Sequence, residues 1–117
     1  EVDSRDVRLL EGWELTEDMK DNYGRPLRPY IVWFGESVPN IEPAIELCEQ
    51  ADIMIIIGTS LNVYPAASLL NYTKKDCKKY LVDPNTVDIH DKNIVFVKQK
   101  AGIGVKQVVD EILEIYL

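Results

Sequence analysis

The sequence predicts an α/β fold built on a mostly parallel sheet, and three observations support this. Short runs of apolar and β-branched residues alternate along the chain with segments of helical, one-sided apolar spacing. The strongest run, Ile53–Ile57, has no polar residue at alternate positions, which is typical of a strand buried on both faces. The 117 residues, of which 46% are hydrophobic, suffice for one hydrophobic core and are too few for two.

The N-terminal part differs in character from the rest of the chain. Residues 1–28 are charged and weakly periodic, so we expect an irregular, loop-rich arm there. Pro26 and Pro29 exclude a helix interior, because proline lacks an N–H donor and restricts the residue before it to extended geometry. Residues 30–34 are all strand formers and predict the first strand, so residues 29–117 would form the α/β domain.

Two helices are predicted in the middle of the chain. Asn40 can cap the first, with Glu42 in its first turn, and apolar residues recur on one face as far as Ala51. Pro65 suits an early helical position, because its missing N–H is not needed there. The apolar pattern that follows Pro65 predicts a second helix ending at about Lys75.

The last third of the chain predicts two short strands and a final helix. Residues 80–82 and Ile94–Val97 are the strands, and Gly102 and Gly104 then precede a one-sided apolar pattern that runs to Tyr116. The element order predicts a four-stranded sheet with right-handed crossovers. One sheet edge would be unpaired, which makes self-association through that edge a possibility.

Composition excludes several classes of function. The net charge of −7 argues against a nucleic-acid-binding surface, which needs clustered Lys and Arg. No apolar run reaches the roughly 18 residues that a membrane helix needs, and no signal peptide is visible. Cys48 and Cys77 form no C-x-x-C motif, which favours reduced thiols in a cytoplasmic protein. Because the chain begins with Glu1 rather than Met, we expect sequence upstream of it.

A candidate nucleotide site follows the strand Ile53–Ile57. In an open parallel sheet, ligands bind outside the carboxyl ends of the strands. Gly58 lies at such an end, and a glycine lets the backbone approach a ligand closely. The hydroxyls of Thr59 and Ser60 can donate hydrogen bonds to ribose or phosphate oxygens.

The next strand ends in a second candidate residue, Asp83. A carboxylate at this distance beyond a glycine turn commonly accepts hydrogen bonds from a ribose diol. Asp83, Pro84 and Asn85 are also turn formers, so the sequence leaves a ribose contact and a plain turn open. His90 is the one histidine and lies in a polar loop with no neighbouring nucleophile, which favours a surface histidine over a general base. G-x-S-x-G, P-loop and G-x-G-x-x-G motifs are absent from the sequence.

Four blocks, taken in order, resemble the C-terminal half of the sirtuins, the family of NAD-dependent protein-lysine deacylases. They are L-R-P-Y-I-V-W-F-G-E at 27–36, G-T-S at 58–60, V-Y-P-A-A at 63–67 and K-A-G at 100–102. The resemblance implies the C-terminal half of a doubly wound, Rossmann-like sheet with flanking helices, and makes the arm at 1–28 the remnant of a small module that normally binds zinc. The implied reaction transfers an acyl group from lysine to ADP-ribose and releases nicotinamide.

The resemblance also implies NAD as the cofactor and an acyl-lysine protein or peptide as the substrate. Gly58, Thr59 and Ser60 would contact the ribose and phosphates of NAD. The residues toward the adenosine end would be Asp83, Pro84, Asn85 and Ala101. The peptide would lie between Val32, Phe34, Gly35 and Glu36 on one side and Val63, Tyr64 and Pro65 on the other, with Phe34 lining the lysine tunnel.

Three departures from the family pattern affect these expectations. The family's G-A-G-x-S, Q-N-x-D and catalytic H-G motifs lie upstream of the matched region, so we expect no catalytic residue in this chain and no activity from it alone. Residues 19–24 hold none of the usual cysteines, so no zinc is expected. Asp83 stands where Asn is common and should repel the 2′-phosphate of NADP. The alternative is a non-catalytic, sirtuin-like module that binds NAD, ADP-ribose or a peptide.

Overall fold

The computed structural model describes residues 7–12, 14–89 and 91–116, so the expectation for His90 lies outside the described residues. The chain divides into two compact units, the first ending at Ser37 and the second beginning at Val38. The assignment of 1–28 to a reduced small module and of 29–117 to the dinucleotide-binding half stays a prediction.

The second unit has the α/β architecture that the sequence predicts. Its described elements are, in chain order, α1 (Ile41–Gln50), β1 (Ile53–Ile57), a 3₁₀ helix (Ala66–Tyr72), β2 (Lys78–Val82), β3 (Ile94–Val97) and α2 (Ala101–Tyr116). The strands form a sheet in the order β1-β2-β3, and both neighbouring pairs are parallel. The expected four-stranded sheet is therefore wrong, since three strands form it in the described residues.

The missing strand is the one predicted at residues 30–34. These residues pair with no other strand of the described chain, and the Ile31 N–H donates locally to the Pro29 carbonyl at 2.9 Å. The backbone then enters a turn at Trp33. Strand-forming side chains favour a pleated, half-buried surface, but a strand forms where a neighbouring strand supplies hydrogen-bond partners. Residues 30–34 have the composition of a strand, but no strand among the described residues lies beside them to pair with.

The core lies on both faces of the sheet, with β2 at its centre. On one face Ile56, Leu81 and Ile94 pack together with Val87 from the loop between β2 and β3. On the other face Tyr80, Val82 and Val97 pack against Val108 of α2. Four of the five residues of β2 are buried, because this strand has a neighbour on each side and a layer on each face.

Strand β1 is an edge strand within the described residues, because it pairs with β2 alone. Ile56 is buried, but Ile55 and Ile57 on the opposite face are 37% and 45% exposed. The prediction that both faces of this strand are covered is therefore wrong for the described residues, whereas the predicted unpaired edge is present. The sequence of β1 is apolar enough for a central strand. On the face that carries Ile55 and Ile57, however, α2 packs mainly over β2.

The helix boundaries differ from the predicted ones for local reasons. α1 follows Asn40 as predicted, but the Asn40 side chain makes no capping hydrogen bond, and its carbonyl accepts from the Ala44 N–H at 3.1 Å. The helix expected from Pro65 to about Lys75 is the seven-residue 3₁₀ helix Ala66–Tyr72. β2 begins two residues before the predicted Tyr80, and α2 begins at Ala101, so both glycines lie inside the helix rather than before it.

Ion pairs connect α2 and the loop before β3 to β2. Glu111 of α2 accepts from the Lys78 ammonium at 3.1 Å and from the Tyr80 hydroxyl at 2.9 Å, and these two donors hold the pKa of Glu111 below its ordinary value. The buried Lys79 pairs with Asp91 at 3.1 Å. The Asn93 N–H, followed by Lys79, lowers the pKa of Asp91. α2 and the loop before β3 are thereby both fastened to β2.

Gly104 lets α2 approach the sheet closely. A Cβ atom added to this buried residue would lie 2.5 Å from Cγ1 of Val82 and 3.1 Å from Cβ of Gln99. Val82 is itself fully buried and has a stiff, β-branched side chain, so it has little room to move away. Gly102, one half-turn earlier on the same helix, would place its Cβ in open space.

Alanine substitution of the two glycines of α2 should therefore change the free energy of unfolding in opposite directions. Gly104→Ala is expected to lower the free energy of unfolding by about 1–3 kcal/mol, the usual cost of overpacking a core. Gly102→Ala, the matched control, should raise it by up to about 1 kcal/mol through helix propensity. Urea unfolding followed by circular dichroism measures both. Equal stabilisation by the two substitutions would contradict the close contact between α2 and Val82.

Candidate functional site

The carboxyl ends of the three parallel strands meet at one edge of the sheet, which brings two predicted site residues together. Gly58 directly follows β1 and Asp83 directly follows β2. The Gly58 N–H donates to the Val82 carbonyl at 3.0 Å, and the Asp83 N–H donates to the Val97 carbonyl at 3.3 Å. These bonds extend both strand pairings by one residue, so Gly58 and Asp83 lie beside each other at the edge where ligands bind in open parallel sheets.

Gly58 has the backbone geometry that the sequence argument requires. Its φ of +62° lies in the left-handed region, which glycine adopts without steric cost. A Cβ atom at this position would meet no atom within 4 Å, and the residue is exposed. The main chain here is open to close approach by a ligand.

The two hydroxyl residues after Gly58 have different local roles. The Thr59 Oγ1 accepts a hydrogen bond from the Leu61 N–H at 3.1 Å and so closes the turn, which leaves its own hydroxyl proton available for donation. Ser60 is exposed, and no hydrogen bond of its hydroxyl is present in the described residues. Leu61 has a φ of +57°, uncommon for a residue with a Cβ, while its side chain packs against the core beside Ile56.

Asp83 forms the turn that the sequence left open as one of two alternatives. Its Oδ1 accepts from the Asn85 N–H at 2.7 Å, which is an Asx-turn across Pro84. Its Oδ2 accepts no hydrogen bond from the described residues. The turn and a ribose contact would therefore use different oxygens, and the ribose contact stays a prediction.

The start of α2 reaches the same edge. Three residues separate β3 from Ala101, and the Gln99 N–H turns the chain back by donating to the Val97 carbonyl at 2.8 Å. The carbonyl of Lys100 accepts from the third and fourth residues of the helix region, Ile103 and Gly104. The N–H groups of Ala101 and Gly102, which have no intrahelical acceptor, lie at the positive end of the helix dipole.

In the first unit, residues 33–36 form a tight turn. The Trp33 carbonyl accepts from the Glu36 N–H at 3.1 Å, and Gly35 has a φ of +89°, the signature of a type II turn. Phe34 occupies the second position and is 94% exposed, and Val32 before the turn is also exposed. The structure thus presents Phe34 at the apex of a turn rather than within a strand.

The Glu36 side chain holds this turn together. Its Oε2 accepts both the Trp33 N–H at 3.1 Å and the Arg28 guanidinium Nη2 at 3.0 Å. The Trp33 N–H, followed by Arg28, lowers the pKa of Glu36. Sequence reasoning missed Arg28, although the opposite charges of Arg28 and Glu36 within one ten-residue block were a visible signal. The predicted contact of Glu36 with a peptide stays a prediction.

The other predicted peptide-flanking residues belong to the second unit and precede the 3₁₀ helix. Val63 and Tyr64 are exposed, and the Val63 carbonyl accepts from the Ala67 N–H at 2.9 Å. The Pro65 carbonyl accepts from both the N–H and the hydroxyl of Ser68, at 3.0 and 2.6 Å. These bonds fix the backbone of the segment while its two large side chains stay exposed.

The segment expected to replace a zinc module is a small hairpin. The Leu27 N–H donates to the Met19 carbonyl at 3.1 Å, and the Asp21 carboxylate accepts from the backbone N–H groups of Tyr23 and Arg25 at 2.8 Å each. The Arg25 guanidinium also pairs with Asp21. Across the described residues, no three His, Cys, Asp or Glu side chains are grouped as metal ligands.

Two further observations concern the chain as a whole. Cys48 and Cys77 are both free and buried, and burial raises the pKa of the Cys48 thiol. No helix in the part of the chain that the structure describes is both long and apolar enough to cross a membrane.

The turn at residues 33–36 should loosen in acid. The folded-state pKa of Glu36 lies below its ordinary value of about 4.5. The ionised carboxylate therefore stabilises the turn fully above that pH, and this stabilisation is lost as the pH falls through the folded-state pKa. In an NMR titration, the Glu36 carboxyl and the Trp33 amide proton should titrate together, with a midpoint below about 4.5. Glu36→Gln should abolish the Trp33 titration, and a Trp33 signal that titrates unchanged in that variant would contradict the contact.

Comparison with known proteins identifies relatives over most of the chain. Residues 9–65 match the model of the Sir2 family. An NAD-dependent protein deacylase of Bacteroides thetaiotaomicron is 50% identical over 98 residues, which cover 83% of this chain and 42% of that protein. An NAD-dependent protein deacylase of Helicobacter pylori is 39% identical over 113 residues, which cover 94% and 49%.

Solved structures agree with the sequence relatives. The structure of Sir2Tm bound to a propionylated peptide matches with a TM-score of 0.64 and 31% identity, over 80% of this chain and 40% of that one. A Sir2 structure with a p53 peptide and NAD+ matches equally well. The chain spans 42% and 49% of the length of the two curated relatives. Its motifs, its parallel sheet and these matches agree, and the chain belongs to the Sir2 family, the sirtuins.

Proposed function

We propose that this chain is part of an NAD-dependent protein-lysine deacylase and forms one half of its NAD-binding crevice. The enzyme would transfer the acyl group of an acyl-lysine to ADP-ribose and release nicotinamide. The observation that carries the proposal is the meeting of the open Gly58 turn, Asp83 and the start of α2 at one sheet edge, in a chain of the Sir2 family. Relatives named NAD-dependent protein deacylases support the same reaction.

The residues at this edge suit NAD. The open space over Gly58 would accept a phosphate or ribose against the main chain, and the hydroxyls of Thr59 and Ser60 would donate to its oxygens. Toward the adenosine end, the free Oδ2 of Asp83 would accept from the ribose diol, with Pro84 and Asn85 beside it. The N–H groups at Ala101 would face the partial negative charge of the same ligand. NAD supplies the electrophilic ribose carbon, and these residues would hold and orient it.

An acyl-lysine peptide suits the segments before and within the Trp33 turn. The main-chain groups of Val32, Phe34 and Gly35 make no hydrogen bonds within the described residues, so they are available to pair with an extended peptide. Such pairing binds a peptide through its backbone and leaves its sequence free. Phe34 would line the tunnel for the lysine stem, and Glu36 would hold the turn. In the second unit, Val63, Tyr64 and Pro65 are also proposed to contact the peptide.

Several finer expectations stay predictions within this proposal. The general base would be the histidine of the sirtuin H-G motif, which is not in this sequence. Zinc is not expected, because the hairpin at 19–27 is closed by Asp21 and holds no cysteine. Self-association through the free edge of β1, the absence of nucleic-acid partners, and a cytoplasmic location inferred from the two cysteines are likewise predictions.

Turnover assays test the proposed reaction. The 117-residue chain, incubated with NAD and an acetyl-lysine peptide, should release no nicotinamide above background, because general-base assistance alone is worth about 10²–10⁴-fold. The full-length enzyme that contains it should release nicotinamide and form an O-acyl-ADP-ribose. NAD binding without turnover by the full-length protein would contradict the deacylase and favour a binding module. Turnover by the chain alone would show that it contains a catalytic group.

The second test concerns Asp83. If its carboxylate faces the adenosine ribose, the full-length enzyme should bind NAD far better than NADP, because the 2′-phosphate would meet a like charge. Asp83→Asn keeps an acceptor for the Asn85 N–H and removes the charge. We expect near-normal NAD affinity and an NADP penalty smaller by about 1–4 kcal/mol.

Calorimetric titration of both dinucleotides measures this penalty. Asp52→Asn is the matched control, since Asp52 directly precedes β1 at the opposite, amino edge of the sheet and loses the same charge. An NADP penalty that is equal in the wild type and Asp83→Asn would show that Asp83 acts in the turn alone. An equal reduction by both variants would reflect net charge rather than contact.

A further inference from the structure

Arg28 connects the two ends of the sequence block at residues 27–36. Its guanidinium reaches Oε2 of Glu36 at 3.0 Å, across eight residues of chain. The same oxygen accepts the Trp33 N–H at 3.1 Å. One carboxylate oxygen therefore joins Arg28, near the start of the block, to the turn that presents Phe34.

The turn depends on these hydrogen bonds more than on packing. Phe34 at its apex is 94% exposed, and Trp33 is more than half exposed, so neither ring buries enough surface within the described chain to fix the turn. Gly35 has no side chain to contribute. A glutamate on an exposed turn samples several rotamers, and its carboxylate would spend much of its time in water without a second anchor. Arg28 is that anchor.

We propose that Arg28 is a positioning residue for the acyl-lysine peptide. It acts through Glu36, whose carboxylate it orients toward the Trp33 N–H, and so keeps the main chain at Val32, Phe34 and Gly35 in the shape that pairs with the peptide. This inference rests on the proposed deacylase function. Arg28 itself touches neither the peptide nor NAD in this scheme.

This role predicts a selective defect. The Arg28 side chain belongs to the unit that ends at Ser37, whereas the residues proposed to hold NAD all lie in the unit that begins at Val38. Loss of Arg28 should therefore raise the KM for the peptide and leave the KM for NAD nearly unchanged. A guanidinium-to-ammonium change keeps the charge, so Arg28→Lys should restore part of the loss.

The first experiment measures the turn itself in the 117-residue chain. Hydrogen exchange of the Trp33 amide, followed by NMR, should be about three- to fivefold faster in Arg28→Met, the factor expected for a partly exposed ion pair. Arg25→Met is the matched control, because it removes a guanidinium paired with a carboxylate in the hairpin of the same unit. Unchanged exchange in Arg28→Met, or equally fast exchange in both variants, would overturn the proposal.

The second experiment measures the consequence in the full-length enzyme. With an acetyl-lysine peptide and NAD as substrates, Arg28→Met should raise the peptide KM about three- to fivefold and change the NAD KM less than twofold. Glu36→Gln should behave similarly, and the double variant should be little worse than either single one, because both residues act on the same turn. Strictly additive effects would overturn the claim that Arg28 acts through Glu36.

The two experiments separate the possible failures. A wild-type enzyme without turnover would overturn the proposed function and the peptide-positioning role with it. A wild-type enzyme that turns over, combined with an unchanged peptide KM in Arg28→Met, would overturn the positioning role alone. A loss in kcat with both KM values unaltered would also overturn it, since it would place Arg28 in a later step than peptide binding.

Discussion

The parallel pairing of β2 with strands on both sides is the constraint on which the candidate site at the strand ends depends. Because β1, β2 and β3 run in one direction and in register, their carboxyl ends are brought to one edge without any side chain directing them there. Gly58 and Asp83, 25 positions apart in sequence, become neighbours for this reason alone. The candidate site is thus a consequence of the burial of β2. A substitution that disrupts this core would separate Gly58 from Asp83 although neither residue is itself changed.

The start of helix α2 is the third part of the candidate site, beside Gly58 and Asp83, and it is positioned by a close contact of the helix with β2. Gly104 lets the helix backbone lie against Val82, while Glu111, about two turns further along the same face, bonds to Tyr80 and Lys78 of β2. With both contacts made to one strand, the start of α2 has little freedom relative to Asp83. Thr59 and Asp83 each stabilise a turn and can still bind a ligand. One side-chain oxygen of each accepts a backbone N–H within its own turn, and the Thr59 hydroxyl proton and the Asp83 Oδ2 stay available for a ligand.

Sequence reasoning succeeded where one short-range rule decides the structure and failed where a distant partner does. The apolar runs of β1 and β3 and the placement of Gly58 follow from periodicity and from the freedom of glycine, and all were predicted. Residues 30–34 had the composition of a strand, but pairing depends on a neighbour that composition does not encode. The left-handed conformation of Leu61 had no signal in the sequence, since nothing local marks a leucine, whose partly buried side chain packs against the core, for a positive φ. The inclusion of Gly104 within α2 required the position of Val82 to be known.

The two candidate segments, one in each unit, are therefore held by different interactions. Gly58 and Asp83 lie at strand ends whose geometry is set by a buried core, which water does not reach easily. The Trp33 turn is set by an exposed carboxylate that accepts two hydrogen bonds, and such bonds weaken with protonation and with competition from water. Acid should therefore loosen the Trp33 turn, whereas the strand ends at Gly58 and Asp83 keep the backbone geometry that the buried core sets.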